Sequence, residues 1–406
     1  MANCPVGGSH SSGDRSAVNI VCLTPWFPSD RGQQTGSFIL DSVESLVSLG
    51  HQVAVLVTRP LRLSFGGPHA ASESARHGLL DVAAARGTSI TLVVYPSLPR
   101  NVLRPLSNWL YHARVAPALA GLARATNAHV IHAHTENAGA VATQVASALG
   151  LPSVVTIHGI NTDHRLNSPR QRAFYRKHLS RASRVVLVGE TLRAHAVSII
   201  GRSDCLRVVH NGFKPPPADI APVDWTPPLR MVSVSNLHVG KGIDITLQAL
   251  RRLDDSGVTD WTYTIVGGGY QASKLQQLVR ELRLSEKVSF AGPCDRDNVY
   301  RHLSRASVFV LPSYIEAFGI AYLEAMATGL LVIGVRAQGP SSFIRDGENG
   351  FLVEPQSVES LFACLHAIST DIPRMQLVAC RGRDDVRGLS WRTHAEKLSA
   401  VLAEVV

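Results

Sequence analysis

Two doubly wound α/β domains in series are the fold class this sequence predicts, on three observations. From Val18 onward, short β-rich apolar runs alternate with amphipathic stretches, the pattern of βαβ units and parallel sheets. The alternation breaks once, at "KPPPADIAPVDWTPP" (214–228), where six prolines and no helical period mark a linker. The chain has 406 residues, more than one ordinary core accommodates, so two domains of about 200 residues each are expected.

In chain order, residues 1–16 ("MANCPVGGSHSSGDRS") are small and polar and read as a disordered tail. They lack the apolar segment of a signal peptide. "VNIVCL" reads as a buried strand and "FILDSVESLVSLG" as a helix closed by Gly50. "HQVAVLV", "SITLVVY", "HVIHAH", "PSVVTIH" and "RVVLVG" are further strands, completing an N-terminal domain over 17–213. After the linker, "RMVSVS", "YTIVGGG", "KVSFAG", "SVFVLPS" and "LLVIGV" repeat the pattern in a C-terminal domain over 229–390. The final segment, "SWRTHAEKLSAVLAEVV", has Ser390 as its N-cap and apolar residues at helical spacing. Two such domains facing each other form a cleft lined by strand C-termini and helix N-termini, where doubly wound sheets bind ligands.

Composition narrows the classes. Hydrophobic residues make up 45% of the chain and charged residues 17%, as in a well-packed globular protein. The net charge of +9 suggests anionic partners such as nucleotides, phosphates, acidic lipid headgroups or nucleic acid, or simply serves solubility. Six scattered cysteines without a CxxC pair fit free thiols in a reducing cytoplasm. No run reaches the roughly 18 apolar residues of a membrane span, so any membrane contact is expected to be peripheral.

The chemistry concentrates in "PSYIEAFGIAYLEAMATG" (312–329). Glu316 and Glu324 stand there among apolar and small residues, and an unpartnered charge is costly to desolvate. Glu316 falls in a strand-to-helix loop and Glu324 about a turn inside the helix. The amides around Phe318, Gly319 and Ile320 form a ready anion site at the helix start. A carboxylate beside phosphate would repel it, so Glu324 suits neutral hydroxyls such as a ribose pair, and Glu316 those of a sugar. The plainer alternative is a solvated Glu316 and a Glu324 placed to favour the helix dipole.

This frame resembles the E-x7-E signature of retaining GT-B glycosyltransferases of family 4. Other stretches correspond in the same order: "FPSDRGQQTGSF", "LGHQVAVL", "VVTIHG" (154–159), "VVHNGF" (208–213), "NLHVGKGID" (236–244), "IVGGG" (265–269), "SFAG" (289–292) and "DGENGFLV" (346–353). The resemblance runs from about residue 18 to the C-terminus and implies a GT-B fold, with the last helix (391–406) packing back on the N-terminal domain. It implies a retaining transferase using a nucleotide-sugar donor, UDP ahead of GDP, and a glycan or lipid-linked acceptor of envelope or polysaccharide synthesis. Retention would come from front-face attack assisted by the departing phosphate, with no cofactor or metal.

Residue by residue, the resemblance makes Lys241 the cation on the donor diphosphate. Glu316 takes the transferred sugar's hydroxyls, Glu324 the ribose, and His158 a place near the anomeric centre and acceptor. Gly36, Gly267 and Gly292 let backbone approach the donor. Asn236 occupies the position of the family's usual arginine, five residues before Lys241; it keeps a hydrogen-bond donor and loses the charge. That departure leaves room for two other readings, a GT-B sugar-nucleotide epimerase and a non-catalytic glycosyltransferase-like scaffold.

Three further signals stand outside this frame. "DRD" (295–297) spells a metal motif but precedes a helical run, so Asp295 or Asp297 is expected to cap that helix. His132 and His134 share a strand face, and with His158 lack a further ligand for zinc; His134 is expected near the acceptor. The basic run Arg165, Arg170, Arg172, Arg176, Lys177, Arg181 and Arg184 reads either as a solvated helix face or as contact with an anionic membrane. Phe65, Trp109 and Leu110 would add apolar anchoring to that contact. Nucleic acid is not an expected partner, because no aromatic-basic interleaving or known module appears.

Overall fold

The central strands form as short apolar runs buried on both faces, the composition that parallel sheets demand, while strands toward the sheet edges are partly exposed. The structure, a computed structural model, describes residues 17–28, 36–62, 88–97, 104–159 and 169–406. The tail, Phe65, Arg165 and most of the first-loop motif lie outside these.

The first sheet has seven parallel strands: β1 (Asn19–Thr24), β2 (Gln52–Arg62), β3 (Ser89–Ser97), β4 (Val130–His134), β5 (Ser153–Ile157), β6 (Arg184–Leu187) and β7 (Leu206–Val208). Their order is β3-β2-β1-β4-β5-β6-β7. Its helices are α1 (Ser37–Ser48), α2 (Arg104–Ala125), α3 (Glu136–Leu149), α4 (Pro169–Leu179) and α5 (Arg193–Ile200). The second sheet has six parallel strands: β8 (Leu229–Val234), β9 (Trp261–Val266), β10 (Val288–Gly292), β11 (Val308–Val310), β12 (Leu331–Val335) and β13 (Phe351–Val353). These are ordered β10-β9-β8-β11-β12-β13. With them come α6 (Ile243–Asp255), α7 (Ala272–Glu281), α8 (Arg296–Ser304), α9 (Ile320–Thr328), α10 (Val358–Thr370), α11 (Ile372–Asp385) and the terminal α12 (Trp391–Ala403).

In each sheet the strand order reverses once, between β1 and β4 and between β8 and β11. The crevice at such a switch point is where doubly wound sheets take ligands, and both functional regions described below sit there.

Ser390 caps α12 by accepting from the Thr393 amide at 3.1 Å. The helix then returns to the first sheet. Ala395, Leu398, Val401 and Leu402 share one buried cluster with Val18, Ile20, Ile39, Val43 and Val55. The opposite face of that sheet is covered by α2 and α3 through Val115, Leu119, Val141 and Val145. A third cluster runs without a break from β5, β6 and α5 into the second sheet. Apolar packing therefore joins the two halves as well as filling each.

Candidate functional site

The loops after β8 and β11 meet at the second switch point. Gly242 ends the β8 loop at φ +67°, and a Cβ there would lie 2.4 Å from the Pro312 carbonyl oxygen, so only glycine lets the two loops close up. Ser313 Oγ and the Tyr314 amide both donate to the Gly240 carbonyl, at 3.1 and 3.0 Å. This stitching brings Lys241 Nζ to 2.7 Å from Glu316 Oε2, both side chains mostly buried. The Glu316 backbone is held from the other side: its amide donates to Gln338 Oε1 at 3.1 Å and its carbonyl accepts from Gly339 at 2.8 Å. The lysine and the first glutamate, read in the sequence as facing different parts of a ligand, are partners here.

Gly319, at φ +94°, starts α9, and Gly329 ends it. The Phe318 side chain is 2% exposed and packs against His210 and Phe343, so only its backbone is offered at the helix start. Glu324 lies one turn further along, on a cleft of about 450 Å³ between the two halves. Burial lifts its carboxyl to about 7; Arg296 works against that rise and Asp41 adds to it.

Asp41, on α1, is 2% exposed and bound from two sides, by Lys214 Nζ at 2.6 Å and by Arg296 Nη2 at 2.6 Å. This ionic cluster ties the N-terminal half, the linker and the C-terminal half together at the cleft. Arg296 Nε and Ser235 Oγ line the same cleft, buried and without a partner among the described residues. Sequence reasoning named neither, nor Asp41 and Lys214. Asp41 and Arg296 stand 255 residues apart, and only the fold joins them.

Among the sequence candidates, Asn236, Gly267, Ile320 and Glu324 line this cleft. Gly292 adjoins it, its carbonyl accepting from the Gly267 amide at 2.8 Å. Gly36, at φ +81°, has the Trp26 and Phe27 backbone less than 3 Å from where a Cβ would stand; its neighbours Ser37 and Phe38 reach the cleft.

A second cavity, of about 550 Å³, opens at the first switch point. His158 lines it with Trp26, Tyr95, Tyr111, Tyr175, Ser107, Asn108, Glu136 and Asn137. His158 Nε2 is 2.8 Å from His134 Nδ1, and its Nδ1 is buried with no partner among the described residues. Burial, reinforced by His132 and His394, lowers the His158 imidazole to about 3, so it is neutral across the physiological range. His134, expected to touch an acceptor, instead lies behind His158, 2% exposed and stacked on it at 5.0 Å. Its place is one that orients the neighbouring ring.

The donor atoms of buried Cys22, His132 and His134 lie within 4.8 Å of one another. The third member of this set is Cys22 from the adjacent strand rather than His158. His132 also bonds Thr156 Oγ1 at 2.8 Å, and burial pushes the Cys22 thiol up to about 12. Asp295, from the DRD triplet, accepts from the Asn298 amide at 2.8 Å and caps α8.

Comparisons with known proteins now bear on these two regions. Residues 224–376 match the model for glycosyl transferases group 1, and residues 35–215 that for glycosyltransferase family 4. The GDP-mannose-dependent alpha-(1-6)-phosphatidylinositol monomannoside mannosyltransferase of Mycolicibacterium smegmatis is 29% identical over 181 residues, 43% of this chain and 47% of that protein. The amylovoran biosynthesis glycosyltransferase AmsK of Erwinia amylovora is 24% identical over 377 residues, 87% of this chain and 91% of that protein. The matched stretch spans about half the length of several other curated relatives.

Among solved structures, Anabaena HepE in complex with UDP and glucose superposes with a TM-score of 0.70 at 18% identity, over 95% of this chain and 100% of that one. Sucrose-phosphate synthase of Thermosynechococcus elongatus gives 0.75 at 19%, over 95% and 98%. The fold is GT-B. Two family matches that meet near the linker and together run over most of the chain leave one conclusion: it belongs to the glycosyltransferases of family 4.

Proposed function

We propose that this protein is a retaining glycosyltransferase that moves a sugar from a nucleotide-diphosphate sugar, UDP ahead of GDP, to a glycan or lipid-linked acceptor. The observation that carries the reading is the Lys241–Glu316 pair at the start of α9, 2.7 Å apart and mostly buried. A diphosphate arriving at the helix tip would take over the ammonium, releasing Glu316 to accept from the sugar's hydroxyls. Stabilising charge on the departing nucleotide is the main catalytic demand, and preformed donors meet it without reorganisation. Arg296 Nε and Ser235 Oγ, both unpartnered on the cleft, suit the nucleoside. Glu324 suits the ribose, where its raised carboxyl meets neutral hydroxyls rather than phosphate. The departing phosphate takes the acceptor proton on the same face as attack, and closure of the cleft excludes water.

UDP is favoured because the similar HepE structure holds UDP and glucose, while the mycolicibacterial relative is named for GDP-mannose. A lipid-linked acceptor fits the apolar rim of the second cavity. Trp26, Leu61, Leu106 and Trp109 are exposed there or on the adjoining residues, Trp109 by 63%. Arg172, Arg176, Lys177 and Arg181 are exposed on and beside α4, which favours peripheral contact with an anionic cytoplasmic leaflet. Among the described residues no helix is long and apolar enough to cross a membrane.

The test is a thermal-shift panel of UDP-, GDP- and ADP-sugars. We expect a UDP-sugar to raise the melting point most, and Glu324→Ala to abolish most of the rise. Acceptor-dependent nucleotide release then separates a transferase from an epimerase. No shift with any sugar nucleotide overturns the reading.

A further inference from the structure

Glu136 plays no part in the donor chemistry, yet it lies on the wall of the second cavity beside His158. It is the first residue of α3, just past the end of β4. His158 follows β5, the neighbouring strand. The residue between β4 and α3, Thr135, is held at φ +83°, ψ 157°, a conformation costing a non-glycine residue on the order of 1–3 kcal/mol. Its amide is pinned to the Thr156 carbonyl at 3.0 Å, so the turn that delivers Glu136 to the cavity is fixed at both strands.

Among the described residues the Glu136 carboxylate has no ion pair and no hydrogen bond to another side chain; burial raises its carboxyl above the usual range, opposed by a hydrogen bond from its own backbone amide. His158 Nδ1, on the same wall, is buried and unpartnered among the described residues. The ring nitrogen lacks a partner and the carboxylate keeps further acceptor sites beyond its one backbone bond, so a ligand's hydroxyls can complete both.

The rest of the lining tells what that ligand is. Tyr95 and Tyr111 meet edge to face at 4.8 Å, and Trp26 and Tyr175 add two more rings. The Asn137 amide accepts from the Tyr175 hydroxyl at 3.0 Å, which leaves its NH₂ group for the cavity. No lysine or arginine is among the described lining residues. Rings suit the apolar faces of a pyranose, amide and carboxylate suit its hydroxyls, and a phosphate beside an uncompensated carboxylate would be repelled.

We propose that Glu136 binds acceptor hydroxyls in this cavity, selecting an acceptor whose reacting end is a neutral sugar. The proposal rests on the transferase reading given above and names the acceptor class for it. A lipid tail, where present, lies at the apolar rim, with any phosphate outside the cavity.

The test uses the full chain and isothermal titration with methyl α-D-mannoside, glucoside and galactoside, and with glycerol 3-phosphate. At least one neutral glycoside is expected to bind, and glycerol 3-phosphate is not. Glu136→Ala should weaken that glycoside by about tenfold or more, and the isosteric Glu136→Gln by less. UDP-sugar thermal shifts should stay at wild-type size in both variants, showing that fold and donor cleft survive. If Glu136→Ala loses its melting transition, Glu136→Gln carries the comparison. Failure of every neutral glycoside to bind, equal or better binding of glycerol 3-phosphate, or unchanged affinity in the folded variants would overturn the proposal. Should glycosides bind through Glu136 while no sugar nucleotide does, the donor reading falls and the sugar-selecting role of Glu136 stands.

Discussion

The two cavities at the two switch points are built on opposite electrostatic plans. At the second switch point the charges are already paired, Asp41 with Lys214 and Arg296 across the cleft and Lys241 with Glu316 between the loops after β8 and β11. The N-terminal cavity is backed by uncharged imidazoles; on its wall a ring nitrogen is unpaired and a carboxylate has no ion pair among the described residues. Paired charges suit a ligand that arrives as an anion and exchanges partners. Open polar groups among aromatic rings suit a neutral ligand that supplies the missing hydrogen bonds. On the proposed reading, one fold separates a highly charged substrate from an uncharged one.

The largest effect should come from removing the cation. Lys241→Ala is expected to lower turnover by about 10²–10³-fold, the cost typical of losing one preorganised stabilising group, while glycoside binding in the other cavity changes little. Nucleotide-release kinetics beside calorimetry would check it, and equal damage to both would break the separation.

Acid should break the other side. His132 and His158 are lowered to about 3 and His394 to about 4, each mainly by burial, and His134 is lowered as well. The unfolded chain binds protons from about pH 6.5 downward while the folded one does not, so stability is lost as pH falls below 6.5. At pH 5 His132, His158 and His394 each cost about 2 kcal/mol, taking 1.5 units at 1.36 kcal/mol each, and His134 acts in the same direction. Glu324 has the opposite sign: raised to about 7, it gains stability as pH falls and offsets about one histidine. Melting curves from pH 7 to pH 5 should fall, and more steeply in Glu324→Gln. A flat profile would show the imidazoles already reached by solvent.

Parallel strands were legible because continuous β-branched runs survive in the sequence whatever they pair with. The edge strands β7 and β13 are three residues each and only partly buried, so they lack the continuous apolar run that made the equally short but fully buried β11 legible. Glu316, Glu324 and Lys241 stood out through local motifs, but the salt bridge between loops 75 residues apart did not, since only strand order brings those loops together. His134 was expected at the acceptor because strand alternation gives a face, not a depth. Glu136 carried no motif; an acidic residue at a helix start ordinarily serves the helix dipole, and its exposure to a cavity is a property of the tertiary fold.

The smallest effect separates a structural acid from a chemical one. Asp295→Ala should cost about 1 kcal/mol of stability through loss of the α8 cap, leave turnover within about twofold, and leave EDTA without effect in either protein. A larger drop in turnover would place the DRD triplet in the donor site after all.

The return of α12 to the first sheet has a consequence for biosynthesis. Leu398, Val401 and Leu402 complete a core begun by Val18 and Ile20, so the nascent N-terminal half leaves the ribosome with one wall missing. That apolar surface stays uncovered until α12 has been synthesised, a state open to aggregation or chaperone binding. For the same reason a gene cut at the proline-rich linker cannot yield two self-sufficient halves.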